Sequence, residues 1–246
     1  SNGATHLEKK VTSITRDNDG KPVVHVGDEQ HGPYDFLVGA VGINTARSMD
    51  LFKELDFEFR EPKSLRAVIS EIHMGSEQVS AQLGNSMHVF LQSIPGLEFS
   101  ALIPKGEYVT LCLMGHNLDK AMIDRFVNSP EMKRLFPGEN GLPPRVCGCK
   151  PLLNMGGPID QFGDRVALVG DCGVTRLYKD GVGAAYRASK ALAVTAIFQG
   201  VSEADLRKHY MPMLKSMDSD NQVGKIIFHV VTLIRKFGFL RKGVLD

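Results

Sequence analysis

The segment that most constrains this chain runs from Arg165-Val-Ala-Leu-Val-Gly-Asp171 through Gly181-Val182-Gly183 to Tyr186. Residues 165–169 predict a short strand, with Val166, Leu168 and Val169 apolar. Residues 184–199 predict a helix built on Ala184, Ala185, Ala188, Ala191, Leu192, Ala193, Ala196 and Ile197. A glycine-bracketed loop therefore sits where a strand ends and a helix begins. In open α/β folds ligands gather at the carboxyl ends of strands, and a helix N-terminus there offers N–H groups and the positive end of its dipole.

The spacing of Gly170-Asp171-Cys172 and Gly181-Val182-Gly183 resembles the second FAD fingerprint of the p-hydroxybenzoate hydroxylase and geranylgeranyl reductase superfamily. That pattern is usually Gly-Asp-Ala-Ala followed by a Pro and Gly-Glu-Gly. The resemblance implies that Asp171 accepts hydrogen bonds from the ribitol hydroxyls of FAD. It also implies that the amides of Val182 and Gly183 face the pyrimidine edge of the ring. Two positions depart from the pattern: Tyr178 stands where the family has proline, and Val182 where it often has glutamate. A second segment, Tyr34-Asp-Phe-Leu-Val-Gly39-Ala-Val41-Gly42-Ile-Asn44-Thr45, is similar to the superfamily's Gly-Ala-Asp-Gly-x-Asn-Ser, with Val41 replacing the aspartate. Phe36, Leu37 and Val38 predict the strand before it. The cofactor-contacting set implied by the resemblance is Gly39, Gly42, Gly170, Asp171, Gly181, Val182 and Gly183, with Arg176, Tyr178 and Lys179 beside substrate or flavin.

The first FAD fingerprint is a G-x-G-x-x-G turn in a ~30-residue βαβ unit that cradles the pyrophosphate. This sequence does not contain it. Residues 7–15, Asp17-Asn-Asp-Gly20 and 23–26 instead predict a hairpin with an Asp-Gly turn. In the superfamily such a hairpin lies mid-way through the FAD domain, so the chain resembles the later two-thirds of a larger flavoprotein, with the N-terminal unit as an expected partner segment.

Between the two motifs, residues 65–74, 87–94, 97–104 and 108–114 alternate or run apolar between turns and predict antiparallel strands. The Pro-Gly and Lys-Gly pairs at 95–96 and 105–106 supply the turns. The resemblance implies that this sheet binds substrate. A helix is expected over 117–128 with Asn117 as its cap, and residues 136–144 as a connection back. The expected fold is thus α/β (α+β): a partial Rossmann-like FAD-binding domain with an inserted antiparallel sheet domain and C-terminal helices. Its segments are 1–62 and 145–200 for the FAD domain, 63–144 for the substrate domain and 201–246 for the helical end.

With 246 residues, of which 43% are hydrophobic, the chain can bury a sizeable core. A net charge of +1 selects no nucleic-acid partner. Four cysteines without paired spacing point to a reducing, cytoplasmic setting. Cys147-Gly-Cys149 lacks the spacing of a zinc ribbon and reads as a packed pair. Cys172 reads as a small apolar filler rather than a flavin adduct. His88 and His116 read as structural rather than as proton donors.

Gly200 ends the Ala-rich helix, and Ser202 to Asp205 forms a capping box for a further helix through Met217. From 225 to 242 the sequence is basic and amphipathic, with no acid between 221 and 245. Its apolar residues Ile227, Val231, Ile234 and Phe237 are expected to pack on the body or on another copy. Peripheral contact with an anionic membrane is the alternative.

The resemblance implies an FAD-dependent oxidoreductase, with NAD(P)H as a candidate electron donor and an apolar or isoprenoid-like substrate. An aromatic monooxygenase and a non-catalytic flavin-fold relay subunit remain open beside it.

Overall fold

A computed structural model describes residues 3–43, 48–52, 55, 60, 63–137, 142, 145–155, 160–176 and 181–237. In chain order the strands are β1 (Ser13–Arg16), β2 (Pro22–Val26), β3 (Glu29–His31), β4 (Leu37–Gly39), β5 (Ser64–His73), β6 (His88–Val89), β7 (Leu97–Lys105) and β8 (Tyr108–Gly115). They continue with β9 (Arg145–Cys149), β10 (Leu152–Asn154), β11 (Phe162–Gly163) and β12 (Val166–Leu168). The helices are α1 (Ser76–Leu83), α2 (Lys120–Val127), α3 (Pro130–Leu135), α4 (Gly181–Phe198), α5 (Glu203–Asp205) and α6 (Met211–Lys236), with a π-helical turn (Leu206–Tyr210) joining the last two. The chain divides into two units: Ser1–Lys63 with Asn154–Val223, and Ser64–Leu153 with Gly224–Asp246.

In the first unit β1 and β2 form the expected hairpin, Ser13 opposite His25 and Arg16 opposite Pro22. Its turn is closed by the Asp17 carboxylate, which accepts from the amides of Asp19 and Lys21 at 2.9 and 2.8 Å. β3 extends this sheet; its three polar residues carry no alternation that could announce it. The second sheet has the order β11-β12-β4, and β12 runs parallel to β4 with Val166 opposite Leu37 and Leu168 opposite Gly39. β12 is buried on both faces, which is why it reads as a continuous apolar run. Val166 and Leu168 pack with Ile14, Phe52, Leu55 and Cys172, whereas Ala167 and Val169 point the other way, into a core with Ala184, Ala188, Leu192, Leu206, Tyr210 and Leu214. α4 buries Ala184, Ala188, Leu192 and Thr195, one stripe at helical spacing. The capping box forms as expected: the Asp205 amide donates to the Ser202 hydroxyl at 3.2 Å, and the Ser202 amide to the Asp205 carboxylate at 3.3 Å.

In the second unit the sheet order is β10-β5-β8-β7-β6, with β9 also pairing β5. The β7–β8 and β5–β8 ladders are antiparallel along their full lengths. Val68, Ile72, Leu102, Val109, Leu111 and Leu113 join Phe90, Ile123, Phe126 and Met132 in one core. Four expectations need correction here. The strand expected over 87–94 is reduced to His88–Val89; Phe90 still donates its amide to Ser100, but at Gln92 the carbonyl is taken by the Arg235 guanidinium instead of a strand. The helix after β8 starts at Lys120, capped by the Asp119 carboxylate, which accepts from the Met122 amide at 2.8 Å; Asn117 is not its cap. α1 and α3 were not foreseen, the latter being started by the Ser129 hydroxyl with Pro130 at its first position. The return to the first unit comes at Asn154 rather than 145, because β9 pairs with β5, Ile69 opposite Cys149.

The C-terminal expectation also changes. Beyond Gly224, α6 belongs to the second unit, held by Phe228 against Phe99 with ring centroids 6.2 Å apart. Arg235 donates to the carbonyls of Gln92, Leu97 and Glu98 at 2.5–2.8 Å. Ile227 and Phe237, expected to be packed away, are 55% and 48% exposed, while Val231 and Ile234 are half-buried.

Candidate flavin-contacting site

Because β4 and β12 are parallel neighbours, the two glycine turns that follow them leave from the same edge of the sheet. The two turns are also bonded to each other. Val169 donates its amide to Gly39 O at 2.9 Å, and the Cys172 thiol donates to Val169 O at 3.1 Å and Gly39 O at 3.5 Å. Burial pushes the Cys172 thiol pKa up, against the opposing pull of the backbone at Val41 and Gly42. A fully buried, protonated thiol is a packing group, not a nucleophile.

The glycines divide into two kinds. Gly42 and Gly170 have φ of +65° and +75°, the left-handed region, and each faces open space. Gly39 is different: a β-carbon there would collide with the Phe52 ring and lie 2.5 Å from a Leu168 methyl. Packing requires Gly39, whereas backbone conformation beside an open space requires Gly42 and Gly170.

Residues 170–172 form a 3₁₀ turn that leaves the Asp171 side chain exposed. α4 starts at Gly181, so Gly181, Val182 and Gly183 make up its first turn, where backbone N–H groups point outward at the positive end of the helix. A β-carbon at Gly181 would stand 3.9 Å from an Asp171 carboxylate oxygen. The exposed carboxylate, the first-turn amides and the two open glycines thus meet at one strand-to-helix junction. A carboxylate acceptor and the amide donors of a helix start thus lie side by side.

Four polar side chains that the sequence reading overlooked hold this junction. Asn154, 6% exposed, donates its side-chain amide to Asp171 O at 3.0 Å and Gly173 O at 2.9 Å. Gln161 accepts from the Val174 amide at 2.6 Å. A β-carbon at Gly173 would lie 2.9 Å from that Gln161 oxygen and 3.0 Å from the Leu168 carbonyl, so a side chain here would press on both. Asn221 of α6 donates to Thr175 O at 2.7 Å. Asp220 receives the Arg176 guanidinium through Nε and Nη2 at 3.1 and 3.0 Å. Arg176 is thus paired with a carboxylate of α6. Tyr178 and Lys179, like Asn44 and Thr45, lie outside the described residues.

The other candidates take structural places. His88 Nε2 meets Leu83 O at 2.8 Å, and His116 is an exposed ring 3.7 Å from Glu98. Cys149 is free and exposed, and the side chain of Cys147 lies outside the described residues. Among the described residues no cluster of His, Cys, Asp and Glu could hold a metal, and no helix is long and apolar enough to cross a membrane.

No family model and no curated protein sequence matches this chain. Solved structures do. A geranylgeranyl bacteriochlorophyll reductase-like protein from Thermoplasma acidophilum superposes with a TM-score of 0.66 at 14% identity, over 90% of this chain and 57% of that one. The chain shares the fold of these solved structures, among them one described as a probable FAD-dependent monooxygenase. PqsL of Pseudomonas aeruginosa, a probable FAD-dependent monooxygenase, matches with a TM-score of 0.60 at 14% identity, covering 95% of this chain and 66% of its own. The p-nitrophenol 4-monooxygenase PnpA of Pseudomonas putida matches with a TM-score of 0.55 at 15% identity, over 96% and 65%. The chain thus spans about three-fifths of the length of these solved structures, the share set by the 57–66% coverage.

Proposed function

We propose that this chain supplies the ribityl- and ring-edge-binding part of an FAD site, together with a sheet domain for an apolar substrate, in an FAD-dependent oxidoreductase. The observation that carries the reading is the junction itself: an exposed Asp171 beside the first turn of α4, at the end of the parallel β4–β12 pair. FAD bound there would supply two-electron redox chemistry, with NAD(P)H as the proposed electron donor. The chain's own residues do the rest. Asp171 accepts hydrogen bonds from ribityl hydroxyls. The amides at the start of α4 stabilise negative charge at the ring's pyrimidine edge. Gly42 and Gly170 let the backbone approach closely, and Asn154 and Gln161 keep the turn in one conformation.

A reductase-like protein and two monooxygenases stand among the structural neighbours, so both reaction classes stay within the proposal, each with an apolar substrate as our reading. The test is FAD titration of the whole gene product and two variants. Asp171→Ala removes hydrogen bonds to a charged acceptor, about 1.5–3 kcal/mol, on the order of tenfold to more than a hundredfold in affinity. Asp164→Ala, at the opposite end of β12, should leave affinity within about twofold of the parent. Equal losses for the two would refute the assignment.

A further inference from the structure

We propose that the outer face of α6 beyond Gly224 seats the protein on an anionic lipid surface. Ile226, Ile227, Val230, Leu233 and Phe237 are 40–64% exposed. At 100° per residue they fall within an arc of about 120°. The opposite side of the helix is already used: Gly224 and Arg235 are buried, Phe228 packs on Phe99, and Arg235 is fastened to three carbonyls. That anchorage settles which way the apolar stripe points, and the stripe points out.

Charge selects the occupant. Lys225, His229 and Lys236, all exposed, run along one flank of the stripe, and the sequence adds Arg241 and Lys242. No Asp or Glu occurs over 221–245. An apolar face flanked by lysines, with no acid on its stretch of helix, matches a surface that offers acyl chains beneath phosphate and carboxylate groups. A second copy of the same helix would bring the lysine flanks together without an acid to meet them, which disfavours self-pairing. The stripe from 226 to 237 is about 17 Å long at 1.5 Å per residue, so it suits lying in an interface, not crossing one. The inference stands independently of the cofactor.

The test is sedimentation of the purified chain with phosphatidylcholine vesicles, with and without phosphatidylserine, at low and high salt. The expected result is pelleting with the anionic vesicles, weakened about tenfold or more by high salt as the Debye length contracts. Ile226→Asp/Val230→Asp should abolish pelleting while leaving the circular dichroism spectrum and melting temperature in place, because both residues are exposed. Lys225→Glu/Lys236→Glu should weaken it without touching the stripe. Failure to pellet, or equal pelleting with neutral vesicles, overturns the proposal. So does a dimer in sedimentation velocity that the Asp variant splits, since that would assign the face to a second copy.

Discussion

Replacing Asn154 with alanine tests whether the Asp171 turn is shaped by a buried amide. In the parent chain that amide donates to Asp171 O and Gly173 O at 3.0 and 2.9 Å, the second bond fully buried and the first only partly. Losing the donor leaves the Gly173 carbonyl unsatisfied where water does not reach, about 1–3 kcal/mol, and exchanges the other bond for water at about 0.5–1.5 kcal/mol. The sum is about 1.5–4.5 kcal/mol. At roughly 2–4 °C per kcal/mol for a chain of this size, the melting temperature should fall on the order of 5–15 °C. Asn154→Asp should fall further at neutral pH, because it sets a carboxylate against the same two carbonyls. Differential scanning calorimetry of the chain gives the shift directly. Asp171→Ala supplies the contrast, since its exposed side chain makes no such bond among the described residues and its melt should match the parent. An Asn154→Ala variant that melts within about 1 °C of the parent would refute the idea that this side chain holds the turn.

Gly39→Ala should destabilise by about 1–3 kcal/mol through overpacking against Phe52 and Leu168, whereas alanine at the open Gly42 should cost only its left-handed backbone strain; urea unfolding of the two variants separates these effects. Ser202→Ala removes a capping-box acceptor and should cost about 1 kcal/mol in the same assay. Tyr210 is fully buried, its hydroxyl without a hydrogen-bond partner among the described residues, and burial raises its pKa above the ordinary value near 10. A raised folded-state pKa means that the contribution is present below the unfolded value and lost as pH climbs past it. Tyr210→Phe should therefore match or exceed the parent at pH 7 and unfold at a higher alkaline pH, followed by far-UV circular dichroism.

What the sequence made legible is what local periodicity and glycine chemistry control. Val166–Leu168 could be read because a strand buried on both faces must be apolar without alternation, whereas Gly170-Asp171 is marked out only by its resemblance to a flavin fingerprint at the right distance from Gly181-Val182-Gly183. The side chains that make the turn rigid were illegible for a physical reason. Asn154, Gln161, Asp220 and Asn221 act through one or two hydrogen bonds each to partners 13 to 46 residues away. An amide or carboxylate looks the same in sequence whether it faces water or a buried carbonyl. Gly39 shows the converse failure, since its match to a cofactor motif conceals a demand made by Phe52 and Leu168.

The end of α6 shows why pattern alone cannot assign a face. Its apolar residues cover most of the helix, so periodicity offers two candidate sides, and in the single chain Ile227 and Phe237 lie on the exposed one. Arg235 decides the matter. Burial without a hydrogen-bonded carboxylate lowers its pKa, opposed by the nearby charge of Glu98, and it is tolerated because three backbone carbonyls receive its donors. A guanidinium held that way fixes the rotation of the helix, and with it the side on which Ile226, Val230 and Leu233 must meet whatever surrounds the protein.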